Sequence, residues 1–282
     1  MKTYKYLLVV LLTGCMSCSK ILEEKPYGVY SNANFYNNEA DAISALLYAY
    51  STINYIEYSA RFMLFLGDIT TNQYLMYGKA EETKLYVWEL NPSTDEFLYL
   101  FKFCYISLGR ANSVLENVAK MNNIGEKSKN QILGEAYFLR AFNYFMLVKN
   151  YGSVPYRSKA VSGTSEIKVP YATIQELYAF IIKDLETAIS LMGIVKNQGR
   201  IDKVGAEALL SKVYPTMASS KTTGAPGYDW VEDPNYDLPA QWSGEVLTHH
   251  TTYSLDPDLT NITDVTPQAD GPEHFFITSM DR

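Results

Sequence analysis

Two loop-like aromatic stretches hold the side chains best suited to chemistry in this 282-residue sequence. The first is Gly67 to Gly78 (GDITTNQYLMYG), where Tyr74 and Tyr77 stand beside Asp68, Asn72 and Gln73, and Trp88 follows shortly after. A flat ring beside amide and carboxylate side chains can stack on a sugar face while the polar groups bond its hydroxyls. Asp68, Asn72, Tyr74 and Trp88 are therefore the candidate ligand-binding residues. Tyr228, Trp230, Tyr236 and Trp242 lie in or beside a second stretch, Ser219 to Pro239, rich in Gly, Pro, Ser and Asp. Most of the 24 tyrosines are expected to serve packing between helices instead, with the hydroxyl at the wet edge.

Other chemistries lack their residue patterns. No glycine loop of the dinucleotide or Walker type occurs, and no GxSxG elbow. The histidines are His249, His250 and His274. Adjacent His249 and His250 diverge on a helix, so the expectation is solvated histidines and no metal site. Cys104 lies in an apolar helical context and is expected to be buried and inert. Acid pairs such as Glu23-Glu24 and Glu81-Glu82 could act as glycosidase carboxylates if the fold set them about 5 to 10 Å apart. Solvated surface is the default for both pairs, and an exported glycosidase stays as a rival reading. A net charge of −7 and a pI of about 5.1 give no basic footprint for nucleic acid. Nothing in the sequence calls for an enzyme or a cofactor.

The elements that must position these residues are helical. Ala42, Ile43, Leu46, Leu47, Tyr50 and Ile53 are spaced at three and four, predicting a first helix from Glu39. A second is expected over Asp95 to Lys120, and a third over Lys127 to Tyr151. This third helix is the most informative segment. From Ile132 to Val148 it is apolar almost all round, broken by Gly134, Glu135, Arg140 and Asn143. A helix without a polar face is covered on several sides. Three polar or charged breaks argue against a lipid-spanning helix. Gly152 and Pro155 should stop it sharply. Thr173 with Glu176 three residues on reads as a capping box for a fourth helix. A fifth runs from Lys203 to Met217, where Pro215 should end or kink it. A short helix is expected at Ala240 to His249. Strands are at most minor. The fold class is all-α, with tetratricopeptide-like stacked helical hairpins and long irregular loops.

At the N-terminus, Lys2 and Lys5 precede an apolar run, Tyr6 to Leu12, then small residues and cysteine. This is an export signal, too short to span a membrane. Leu12-Thr13-Gly14-Cys15 fits a bacterial lipoprotein cleavage site, with Cys18 as a second candidate for lipidation. Two or more acyl chains would hold the mature protein on a membrane surface. A disulfide framework is excluded, since cutting before either cysteine leaves at most one beyond this pair, Cys104.

The blocks CSKILEEKP (Cys18 to Pro26), EADAISALLYAY (Glu39 to Tyr50), GEAYFLRAFNYFMLVKNYGSVPY (Gly134 to Tyr156) and RIDKVGAEALLSKVY (Arg200 to Tyr214) are met in order. Together they resemble the SusD/RagB-like outer-membrane lipoproteins, the Gly134 block being the most specific. The resemblance implies a tetratricopeptide-like scaffold that captures glycan or another nutrient at the cell surface. It implies delivery to a TonB-dependent, SusC-like barrel, without catalysis. It selects Cys18 as the lipidated residue, whereas the cleavage pattern selects Cys15. Family members usually run to about 500 residues, so the chain is expected to be an N-terminal portion. Residues 1–18 then form the signal, 19–38 a tether, 39–218 the helical domain and 219–282 the start of an incomplete C-terminal region. On that expectation some core faces of the third helix would belong to the missing half. A second reading follows, a scaffold that docks on the transporter without binding ligand.

Overall fold

A computed structural model of the chain describes residues 35–55, 57–59, 67–71, 83–84, 86–89, 91, 95–161, 163, 168–196, 199–232, 237–258 and 271–275. Within these it is mostly helical. The helices are α1 (Glu39–Tyr50), α2 (Asp95–Val118), α3 (Glu126–Tyr151), α4 (Ile174–Leu191), α5 (Lys203–Thr222) and α6 (Asp237–Thr248). Two short strands, β1 (Val154–Pro155) and β2 (Tyr171–Ala172), pair antiparallel with Val154 opposite Ala172. Residues 36–282 form one compact unit. From α2 to α6 each helix packs on the next, and α1 packs on both α2 and α3. Among the described residues no helix is long and apolar enough to cross a membrane.

The helix α3 occupies the centre, touching α1, α2, α4 and α5. Its apolar surface is covered within this chain: Ile132, Ala136, Leu139, Ala141, Tyr144, Phe145, Leu147 and Val148 are all buried. No residue from 131 to 148 is exposed, although Leu133, Tyr137 and Phe142 are only half-buried, so most of the faces expected to lie bare are covered by this chain. Burial of each large apolar side chain contributes about 1.5–3 kcal/mol, which outweighs the lack of an amphipathic stripe. A Cβ at Gly134 would run into the Met192 side chain and lie 3.3 Å from the Ala188 carbonyl, so the glycine lets α3 and α4 approach closely. The helix ends where expected, with Gly152 at φ 69° and its N–H bonded to the Val148 carbonyl.

The three polar breaks in α3 are each satisfied by a different neighbour. Glu135, fully buried, accepts from Tyr50 Oη at 2.9 Å, from Gln131 Nε2 at 2.9 Å and from Arg200 at 2.7 and 3.0 Å. Arg140 meets Asp184 of α4 and Asn112 of α2. Asn143 accepts from Tyr58 Oη at 3.0 Å and donates to Ser107 Oγ at 3.0 Å. Buried polar groups need such partners, because an unpaired one costs about 1–3 kcal/mol. The polar breaks therefore fix which neighbour lies on which face.

Three expectations are changed. The helix α5 runs on to Thr222, seven residues past Pro215, so residues 219–222 are helical, not loop. Proline removes one backbone bond and crowds the carbonyl four residues back. Here Ala218, 3% exposed, and the packing of α5 on α6 hold the far segment in line. The stretch from Gly67 opens as a helical turn, with a 3-10 segment at Ile69–Thr71. The helix α6 begins at Asp237, three residues ahead of Ala240. As expected, α4 starts on the Thr173–Glu176 capping box, with Leu177, Ile181, Leu185 and Ala188 turned into the core.

Candidate functional site

The turn that carries Trp88 has unusual backbone geometry. Thr83, Lys84 and Tyr86 are helical; the Val87 N–H bonds the Thr83 carbonyl at 3.0 Å and the Glu89 N–H the Lys84 carbonyl at 2.9 Å. The second bond closes six residues, as in the Schellman helix end, and places Trp88 where glycine ordinarily sits. Trp88 has φ 60°, the one non-glycine residue among those described with positive φ. For a bulky L-residue this conformation costs about 1–3 kcal/mol. The strain is not offset by burial, since Trp88 is 63% exposed and Val87 and Glu89 beside it are exposed too. The turn thus carries an exposed indole followed by an exposed Glu89.

Of the other expected ligand residues only Asp68 is described. Asp68 is exposed, and its backbone carbonyl accepts from Thr71 Oγ1 at 2.5 Å. Among the described residues no hydrogen bond or ring contact joins Asp68 to Trp88. Asn72, Tyr74, Gln73 and Tyr77 lie outside the described residues, as do Cys15, Cys18 and the Glu23-Glu24 and Glu81-Glu82 pairs. In the later loop, Tyr228 is 7% exposed and its hydroxyl lies 3.1 Å from that of Tyr178. Trp230 packs near the same Tyr178 ring and donates from Nε1 to the Gly227 carbonyl at 2.9 Å. These two aromatics are engaged in packing around Tyr178.

Exposed rings that composition alone could not single out are Tyr171, 71% exposed beside β1, and Tyr48, 59% exposed with the Arg110 guanidinium 3.5 Å from its ring centre. Two cavities accompany them. One, of about 370 Å³, lies between α2 and the loop after α3 and has Phe101 and Tyr105 in its wall. The other, of about 930 Å³, opens at the start of α3 and carries no aromatic ring among its described lining residues, so it offers no stacking surface.

Among the described titratable groups, Cys104 and His249 are held in contacts inside the fold. Cys104 is buried, and burial pushes its thiol up to about 12, which removes thiolate reactivity at neutral pH. His249 is not solvated as expected: its Nε2 lies 3.0 Å from the buried Glu207 carboxylate. His274 has a buried Nδ1 without a hydrogen-bond partner. Among the described residues no three His, Cys, Asp or Glu side chains gather as metal ligands.

Comparison with known proteins places this scaffold. The profile of a SusD-like family, described as starch-binding and associating with the outer membrane, matches residues 22–215. SusD-like protein P2 of Formosa agariphila is 27% identical over 286 residues, covering 98% of this chain and 52% of that protein. A solved SusD superfamily structure from Bacteroides vulgatus superposes with a TM-score of 0.70 at 21% identity, covering 88% of this chain and 51% of its own. A laminarin-binding SusD-like protein superposes at 0.59 with 24% identity, over 67% of this chain and 42% of its own. The chain spans about half the length of the relatives it matches. With its central α3 block inside the matched region and its helical stack reproduced in those structures, the chain belongs to the SusD-like family.

Proposed function

We propose that this protein is a surface lipoprotein of the outer membrane that binds glycan at the Trp88 turn and passes it to a TonB-dependent, SusC-like transporter, without catalysis. The observation that carries the binding step is the exposed indole of Trp88, held in a strained left-handed conformation where glycine would be relaxed. Strain retained at an exposed residue is explained by a role for the side chain, because relief by a single substitution is available. The ring stacks on the CH face of a sugar, and the neighbouring Glu89, which is exposed, accepts from a sugar hydroxyl.

Membership in the SusD-like family supports the handling of carbohydrate at the outer membrane. The anchor is the lipid on Cys18 or Cys15, and the helical stack of residues 39–218 is the scaffold. Starch, named in the family description, and laminarin, bound by one solved relative, are the first probes. Purified protein should retard in a native gel cast with one of these or another neutral glycan, and Trp88→Ala should abolish the shift. Absence of retardation across a broad glycan panel contradicts the reading. Co-purification with an outer-membrane barrel but no glycan binding would favour a docking scaffold.

A further inference from the structure

Two exposed tyrosines are held along the seam between α1 and α2. The Arg110 guanidinium lies 3.5 Å from the Tyr48 ring centre, so it covers one face of that ring. Seven residues on, in the turns that follow α1, Tyr55 stacks on Phe103 at 5.0 Å with 28° between the planes. Phe103 and Arg110 are themselves seven apart in α2, nearly two turns along one face of that helix. The second pair thus repeats the first along an antiparallel seam, about 10.5 Å of helix away. Each tyrosine has one ring face backed, and 59% of Tyr48 and 43% of Tyr55 remain exposed.

The rings are fixed from below. Arg110 Nη1 donates to the Tyr48 carbonyl at 2.9 Å, to Thr52 Oγ1 at 2.8 Å and to Ser51 Oγ at 3.3 Å. The guanidinium is pinned against the ring by one nitrogen, while Nε and Nη2 make no hydrogen bond among the described residues. Under the seam Thr52, Ile53, Cys104 and Ser107 are buried, which holds the register of the two elements. Groups ordered in advance lose little freedom when a ligand arrives. Neither phenol hydroxyl has a hydrogen-bond partner among the described residues, so both are available. A protein partner would need a contiguous apolar centre from which lysine is kept out. Here the surface is interrupted: Asn54 beside Tyr55 is exposed, and so is Lys102, whose Nζ lies 5.7 Å from the Phe103 ring centre. Separate ring faces flanked by hydroxyl, amide and cationic donors suit a chain that alternates CH faces with hydroxyl groups. A net charge of −7 favours an uncharged chain over a polyanion.

We propose that the α1–α2 seam is a second glycan contact, where Tyr48 and Tyr55 stack on separate sugar rings of one long neutral chain. The inference rests on the glycan reading at Trp88 and extends it from a single ring to a polymer. The seam is too weak to hold a chain alone, and it adds affinity once the chain is held at Trp88.

Calorimetric titration of the full chain tests this with whichever polymer, starch or laminarin, retards it in the gel, against the matching trisaccharide. With affinities expressed per trisaccharide unit, the polymer should bind at least about tenfold more tightly. Tyr48→Ala and Tyr55→Ala should each weaken polymer binding about three- to tenfold and leave the trisaccharide unchanged. Tyr48→Phe keeps the ring and should keep most of the polymer affinity. Tyr171→Ala removes an equally displayed ring on β2 and should change neither ligand. If Tyr55→Ala does not fold, Tyr48→Ala decides the matter, since the more exposed ring carries less packing. Equal affinity for polymer and trisaccharide, or undiminished polymer binding by folded Tyr48→Ala, would overturn the seam while the Trp88 reading stands. Loss of a co-purifying outer-membrane barrel from Tyr48→Ala, with polymer binding intact, would overturn it in favour of a protein contact. If neither polymer nor trisaccharide of any glycan binds, both readings fall.

Discussion

The Arg140 guanidinium meets the Asp184 carboxylate fork to fork, Nε to Oδ2 at 2.7 Å and Nη2 to Oδ1 at 2.8 Å, with at most a tenth of either side chain exposed. The remaining Nη1 bonds Asn112 Oδ1 and the Ser158 carbonyl. One side chain of α3 thus ties together α2, α4 and the loop that walls the smaller cavity.

Breaking this pair from one side leaves a buried charge. Arg140→Met or Asp184→Leu alone should cost about 3–5 kcal/mol of unfolding free energy, read by urea denaturation. The double variant should recover part of the loss, because two apolar groups replace two charges. Single variants that each cost less than about 1 kcal/mol would show that the pair does not organise the core.

Continuity of α5 through Pro215 gives a second prediction. Proline in a helix interior costs about 3 kcal/mol relative to alanine, less whatever the local geometry has already relieved. Pro215→Ala should therefore raise stability by about 1–3 kcal/mol. A drop in stability would mean that the proline sets a bend on which the packing of α6 depends.

Alkaline unfolding gives a third. Burial raises the phenols of Tyr50, Tyr58, Tyr105, Tyr144, Tyr151 and Tyr178 and pushes the Cys104 thiol up to about 12. Their folded values lie above the unfolded ones, about 10 for tyrosine and 8.5 for cysteine. The stability they contribute is complete below the unfolded values and is lost as pH rises through that window. Phenolate absorbance from the buried rings should therefore appear together with loss of helical circular dichroism, between about pH 10 and 12. Full tyrosine ionisation near pH 10 with helicity intact would contradict the burial described above.

Much of the scaffold was legible because its signals are local. The capping box of α4, the glycine stop of α3 and the absence of a polar face on α3 are read from neighbours in the chain. The partners of Glu135 were not legible: Tyr50 lies 85 positions away and Arg200 65. Nor was the contact of His249 with Glu207, 42 positions apart, so His249 read as solvated. Pro215 was misread because tertiary packing overrides a local helix breaker. Trp88 was legible as a residue type, but its left-handed backbone was not, since that conformation is the signature of glycine. Tyr228 and Trp230 looked like a second binding stretch because sequence cannot distinguish a displayed ring from one folded back on Tyr178.

The central claim is that Trp88 is strained for the sake of a ligand, and Trp88→Gly measures both halves of it. Glycine accepts the left-handed conformation, so unfolding free energy should hold or rise, by up to about 1 kcal/mol, while glycan affinity falls at least about tenfold. Glycan affinity unchanged in a folded Trp88→Gly protein would contradict the account.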